Sequence, residues 1–224
     1  MAKIHGIPGE WARVKGMVAG LWPLFLGVFI GGVALALVFF WMIVGIALFV
    51  VDLIFVIWSL VAGLRHVERF FKGARGEEKV SGVLGRLPDA YHIFNDFTSG
   101  RHHVDHVVVG PGGVFAIETK FWQGRVTVED GCVLLDGQLP NRSPLAQVTR
   151  EARIVAETLG KLGWKGVVTP VLVFASDTFA AHRADLNGTV VINSNELKES
   201  FDTDRVVISP AELGRLVGLM ESNS

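Results

Sequence analysis

The apolar positions of this chain fall into two regimes. From Met17 to Leu64 hydrophobic residues follow one another almost without interruption, with Asp52 as the single charge. Beyond that run, apolar and polar residues alternate at the spacings of helices and strands. A helix crosses a bilayer with about 20 apolar residues, so the run is about twice as long as one span needs. It predicts two spans folded back on each other at a turn near Phe40. Trp22 and Trp58 lie at similar distances from that turn and Trp41 lies at it, as interfacial aromatic belts require. Gly27, Gly31 and Ala34 share one face of the first span and offer a close-packing surface, for the second span or for a second copy of the chain. Asp52 falls near mid-membrane, where an ionisable group is costly and often functional. Neither span holds a basic partner for it, so it is read as protonated or as facing a polar group of another membrane protein.

Downstream, Val80, Val83, Leu84 and Leu87 recur at helical spacing. They predict an amphipathic helix over Glu77 to Leu87, opened at Gly76 and ended by Pro88, with Glu77 on its buried side. Strand-like runs follow at Tyr91 to Phe97, His103 to Val109, Val114 to Lys120, Arg125 to Val128 and Cys132 to Leu135. Pro144 starts a second helix with Leu145, Val148, Ala152, Val155, Leu159 and Leu162 on one face. Val167 to Phe174 and Val190 to Ile192 read as further strands, and a last helix begins after Ser209-Pro210. Helix, strands, helix, strands and helix in that order predict an α/β sandwich with a mixed central sheet.

Charge then orients the chain. Lys3, Arg13 and Lys15 precede the apolar run and Arg65, Arg69, Lys72 and Arg75 follow it, so the positive-inside rule puts both flanks in the cytoplasm. The expected organisation is an N-terminal cytoplasmic segment over 1–16 and a transmembrane hairpin over 17–64. A basic linker or helical continuation covers 65–75, and a cytoplasmic domain covers 76–224, held at the inner (plasma) membrane. Half of the 224 residues are hydrophobic, and the mean hydropathy of +0.43 comes from the first regime. The part after residue 62 holds 18 Lys and Arg against 20 Asp and Glu. A domain that coats long stretches of nucleic acid is normally basic, so any such contact here is expected to be local. The single cysteine, Cys132, excludes an intrachain disulfide framework and a multi-cysteine zinc site.

The chemistry is concentrated between His103 and Lys120. Gly110 to Gly113 forms a turn, and pairing Val109 with Val114 places Asp105 opposite Glu118, with side chains on one face. Lys120 joins that face two residues later. Two carboxylates this close repel each other unless a cation intervenes, and hard oxygen ligands select Mg²⁺ or Mn²⁺. Such an ion can polarise a phosphate and lower the pKa of water, while Lys120 orients that water or neutralises developing charge. The same three residues also fit a structural ion-pair cluster at a sheet edge, and both readings stay open at this point. Alternation puts His103 on the face of Asp105, as a further ligand or proton carrier, and His106 on the other face, in the core. Trp122 reads as a cover for the sheet edge or as a stacking platform for a base.

The segment Gly73-Ala-Arg-Gly-Glu77, the run Asp105-His-Val-Val-Val-Gly-Pro-Gly-Gly-Val-Phe-Ala-Ile-Glu118-Thr-Lys120 and Trp122-Gln-Gly124 together resemble the nuclease-related domain (NERD) family. That family is itself similar to PD-(D/E)XK endonucleases, and the likeness spans roughly Gly73 to Phe174. It implies a restriction-endonuclease-like fold, Asp105 and Glu118 as metal ligands, Lys120 as the catalytic lysine and Glu77 as a further acidic ligand. Ser143-Pro-Leu-Ala-Gln147 resembles the family's Asn-Pro-x-x-Gln element with Ser143 in place of Asn, and brings Gln147 toward the site. The function expected is a membrane-anchored, divalent-metal-dependent nuclease acting on DNA, less readily on RNA, at the cytoplasmic face. The alternative is a catalytically silent nuclease-fold scaffold tethered by the hairpin. A transport role built on Asp52 is weaker, since two spans make only a fragment of a pathway.

Overall fold

The computed structural model describes residues 1–100, 102–201 and 206–222; the side chains of His66 and Arg69 lie outside the described set, so the part of the basic flank assigned to Arg69 does too. The chain divides into two compact units, one over Glu10–Ala74 and one formed by Met1–Gly9 with Arg75–Ser224.

The first unit is helical. Helix α1 (Glu10–Phe40) and helix α2 (Met42–Leu84), whose residues from Arg75 on belong to the second unit, are both long and apolar enough to cross a membrane. One residue, Trp41, separates them, and the sequence between Val38 and Met42 offers no Gly, Pro or Asn for a turn. The small residue that permits it lies further on: a Cβ on Gly45 would overlap the backbone of Val38. Along the pair, a Cβ on Gly20 would come within 2.6 Å of Val67 Cγ2, on Gly27 within 2.5 Å of Val56 Cγ2, and on Gly31 within 2.8 Å of Asp52 Oδ2. The small-residue face read from the sequence is therefore buried inside the hairpin. Asp52 is buried against Gly31 rather than displayed outward.

Helix α2 departs from the sequence reading. Gly76 does not open a new segment; the helix runs unbroken through 65–75 and ends at Leu84, short of Leu87. Glycine weakens a helix by about 1 kcal/mol, an amount that packing readily overrides. A Cβ on Gly76 would sit 3.1 Å from Phe121 Cβ, so the residue that reads as a breaker serves close approach instead.

The second unit is built on a mixed seven-stranded sheet. Its strands are β1 (Lys3–His5), β2 (His92–Ser99), β3 (His102–Gly110), β4 (Gly113–Lys120), β7 (Val168–Phe174), β8 (Arg183–Leu186) and β9 (Thr189–Asn193), in the order β1-β2-β3-β4-β7-β9-β8. Strands β2, β3 and β4 are antiparallel neighbours, whereas β4, β7 and β9 run parallel. A separate hairpin joins β5 (Val126–Glu129) and β6 (Cys132–Leu135). Strands β1 and β8 are additions to the sequence reading; each is a short edge strand whose period-two signal is too brief to detect.

Helices α3 (Pro144–Lys161) and α4 (Pro210–Glu221) begin at Ser143 and Ser209, whose hydroxyls accept from Ala146 N and Glu212 N. One face of the sheet packs Phe94, Val107, Val109, Val114 and Ala116 against α3 and α4 residues such as Val155, Leu159 and Leu216. The other packs Ile93, Val108, Ile117 and Val173 with Val80 and Leu84 of α2.

The β3–β4 turn has the expected register, with Val109 opposite Val114 and His106 opposite Ile117. Gly110 is required there, since its Cβ would fall inside the buried ring of Tyr91.

Candidate active site

Regular pairing of β3 with β4 ends at His106 and Ile117, one residue before the pair Asp105 and Glu118. Strand β2 breaks at the same level: Asn95 pairs with His106 and Phe97 with Val104, while Asp96, opposite Asp105, adopts a left-handed backbone at φ 52°. Aspartate is among the few residues that tolerate this conformation. Alternation slips by one residue here, because Phe94 and Phe97, and likewise Val107 and Val104, join the same cluster. The slip frees the Asp105 carboxylate to accept from Thr119 N at 2.8 Å, a side chain replacing a ladder bond.

The sequence-predicted residues converge around this break. Asp105, Glu118 and Glu77 are 7%, 4% and 7% exposed. Lys120 Nζ donates to Glu118 Oε1 at 2.5 Å and to Gln147 Oε1 at 3.0 Å. Gln147 Nε2 in turn donates to Glu151 Oε1 at 2.9 Å. Ligand atoms of Glu77, His103 and Asp105 all lie within 4.8 Å of one another, little more than twice a metal–oxygen bond of ~2.1 Å. Glu118, expected as a second ligand of the same ion, has one oxygen held by Lys120. His103 Nε2 sits 3.3 Å from Asp96 Oδ1 and 3.5 Å from Asp105 Oδ1. His106 is buried on Asn95, with Nδ1 2.8 Å from Asn95 Oδ1, and burial lowers its pKa to about 4. Trp122 packs its ring 5.5 Å from that of Phe174, which makes it a cover for the sheet.

Two acidic residues escaped the sequence reading. Glu151 is 5% exposed and lies among the apolar positions of α3, one turn after Gln147. A charge inside a hydrophobic stripe, four residues from a polar candidate, is the signal that could have found it. Asp96 gave no separate signal, because it lies inside the strand run Tyr91 to Phe97 and its left-handed backbone cannot be read from alternation.

Burying carboxylates is costly unless they are protonated or meet a cation. Burial, then the charges of Asp105 and Asp96, push Glu77 up to about 9. Burial and Asp105 hold Glu118 well above the ordinary range, and burial raises Glu151. Burial works against the Lys120 ammonium, but the Glu118 carboxylate more than offsets it and the lysine pKa is raised. Asp105 differs: burial opposes its ionisation, yet hydrogen bonding from His103 and Thr119, with the charge of His106, holds it below the ordinary aspartate value.

The donor set fits a divalent ion. Glu77 Oε2 and Glu151 Oε2 are buried without a hydrogen-bond partner, and one ammonium stands among several carboxylates. An ion between Glu77, His103 and Asp105 would give the orphaned carboxylate oxygen a partner and offset the burial and the repulsion that keep Glu77 protonated.

Comparison with known proteins agrees with this geometry. The model of the nuclease-related domain family matches residues 72–175, which contain every residue of the cluster. The chain is also similar to an uncharacterised protein of Bacillus anthracis, 32% identical over 68 residues, 28% of this chain and 32% of the relative; the match spans about a third of that relative's length. No solved structure matches the chain. Residues 72–175, with their buried acidic cluster on a mixed α/β sheet, are thus the part of the chain that matches the nuclease-related (NERD) domain family.

Proposed function

We propose that this chain is a membrane-anchored, divalent-metal-dependent nuclease that hydrolyses phosphodiesters of DNA at the cytoplasmic face. The observation that carries the reading is the set of four buried carboxylates, Glu77, Asp105, Glu118 and Glu151, gathered around a single ammonium. A stable fold gains nothing from such a set unless it binds a cation. Glu77, His103 and Asp105 would hold the ion, with Glu118 as the further carboxylate that the family likeness assigns to it. The ion would supply electrophilic activation of a phosphate and of water. Lys120, held from both sides by Glu118 and Gln147, presents positive charge where negative charge develops on the phosphate, and it positions the water. An imidazole in the donor set favours Mn²⁺ over Mg²⁺.

The full chain in detergent is expected to nick supercoiled plasmid and to cut labelled single strands of DNA faster than RNA. Cleavage should be faster with Mn²⁺ than with Mg²⁺ and should stop in EDTA. If no divalent ion supports cleavage of any of these substrates, the enzyme reading is wrong and a tethered scaffold is the better description.

The hairpin and its basic flanks support an anchor with both termini and the domain inside the cell. Cys132, the one cysteine, is exposed on β6 and gives a direct test. A membrane-impermeant maleimide should label it only after permeabilisation, and labelling of intact cells would reverse the orientation.

A further inference from the structure

Arg142, Ser143, Ala146, Gln147 and Arg150 line a cavity of about 420 Å³ at the start of α3. Arg142 lies just before the N-cap Ser143, and Ala146 and Arg150 lie one turn apart on α3, so the short Ala146 side chain lines the cavity between the two arginines. Both arginines are exposed, and among the described residues neither pairs with a carboxylate. Arg153, on the same helix, pairs with Glu157 at 3.5 Å, so solvent exposure alone does not explain why the other two stand unpaired. Like charges sharing one cavity repel each other unless an anion lies between them, and the planar guanidinium matches phosphate oxygens two at a time. Gln147 lines this cavity and also accepts from Lys120 Nζ at 3.0 Å, so one side chain belongs to both the cavity and the acidic cluster.

We propose that this cavity seats the sugar-phosphate strand next to the scissile phosphate, with Arg142 and Arg150 each forking a backbone phosphate. The inference rests on the nuclease reading and adds to it the requirement for a polymer. It also reconciles a domain with more acids than bases with a polyanionic substrate, since only two local contacts are needed. A nucleic acid strand is favoured over an anionic lipid headgroup because the cavity is joined to Lys120 through Gln147.

The test uses the full chain in detergent with EDTA present, so that no strand is cut, and a labelled single-stranded oligodeoxynucleotide followed by anisotropy over about 50 to 200 mM salt. Arg142→Gln with Arg150→Gln is expected to weaken binding about 10- to 100-fold. The slope of log affinity against log salt should fall in magnitude by about 1.4, as loss of two single-strand phosphate contacts requires. Arg142→Lys with Arg150→Lys should keep the slope, which separates loss of charge from loss of fold. Wild-type affinity and slope in the double Gln variant would overturn the proposal. So would unchanged oligonucleotide binding accompanied by lost binding to phosphatidylglycerol vesicles, which would make the cavity a lipid site. The nuclease reading fails separately: a wild type that binds with the arginine-dependent slope yet cuts nothing in Mn²⁺ keeps the cavity and loses the enzyme. Conversely, cleavage of polymer that is unaffected by the double Gln change keeps the enzyme and loses the cavity.

Discussion

Lys120→Ala is expected to lower metal-dependent cleavage by about 10²- to 10³-fold, the range for removing a positioned donor aimed at developing charge. In the resting site the ammonium is committed to Glu118 Oε1 and Gln147 Oε1, so it contributes little to holding substrate. On the proposed nuclease reading its value arises when negative charge grows on the phosphate within a buried site. The loss should therefore fall on kcat and on kcat/KM alike, with KM nearly unchanged. A lysine serving only as a structural counter-ion would give a different result, a destabilised protein whose remaining folded fraction cuts at the normal rate. Unfolding is not expected from the substitution. Glu118, already held well above the ordinary glutamate range by burial and by Asp105, would retain a proton once its cationic neighbour is gone. Steady-state cleavage in Mn²⁺ across a range of DNA concentrations, beside a thermal melt, distinguishes the two. A variant with normal kcat removes Lys120 from the chemistry.

The parts of this site that could be read from the sequence were those encoded by short-range periodicity. The Gly110 to Gly113 turn set a register that holds as far as His106 and Ile117, and two-residue spacing put Glu118 and Lys120 together. The decisive departure comes one step further, where β2 and β3 slip together at Asp96 and Asp105. Alternation cannot foresee such a slip, because it depends on a left-handed aspartate in a neighbouring strand. The same limit hid Asp96, and it hid β1, whose three residues gain meaning only from parallel pairing with β2. Continuity of α2 across Gly76 was missed for the opposite reason: local propensity was read as decisive at a position where close packing against Phe121 overrides it. Gln147 was legible through the likeness of Ser143 to Gln147 to the family's Asn-Pro-x-x-Gln element. Its role depends on Glu151, a charge that the apolar stripe of α3 disguised.

Glu77→Gln should exchange metal affinity for stability, with opposite signs in the absence and presence of the ion. Burial and the charges of Asp105 and Asp96 raise the Glu77 pKa from the ordinary 4.5 to about 9. Between those values the folded protein keeps a proton that the unfolded chain releases, so the ion-free wild type loses stability as pH rises through the window. The slope from this one group is at most about 1.4 kcal/mol per pH unit. Asp105, held below its ordinary value, is ionised in both states over this range and does not contribute to the slope. Gln cannot ionise, so the ion-free variant should melt higher than wild type at pH 8, by on the order of 2 kcal/mol after allowance for its coupled neighbours. That corresponds to roughly 4–8 °C. Added Mn²⁺ reverses the order: at about 100 times its Kd the ion stabilises wild type by about 2.7 kcal/mol, whereas the variant has lost a ligand and gains little. Binding must also displace the Glu77 proton, so calorimetry at pH 7 in buffers of different ionisation enthalpy should show close to one proton released per ion in wild type and fewer in the variant. Two melting curves that do not cross, with the variant less stable at pH 8 and wild type indifferent to Mn²⁺, would mean that this acidic cluster is tied together by its own hydrogen bonds and holds no ion.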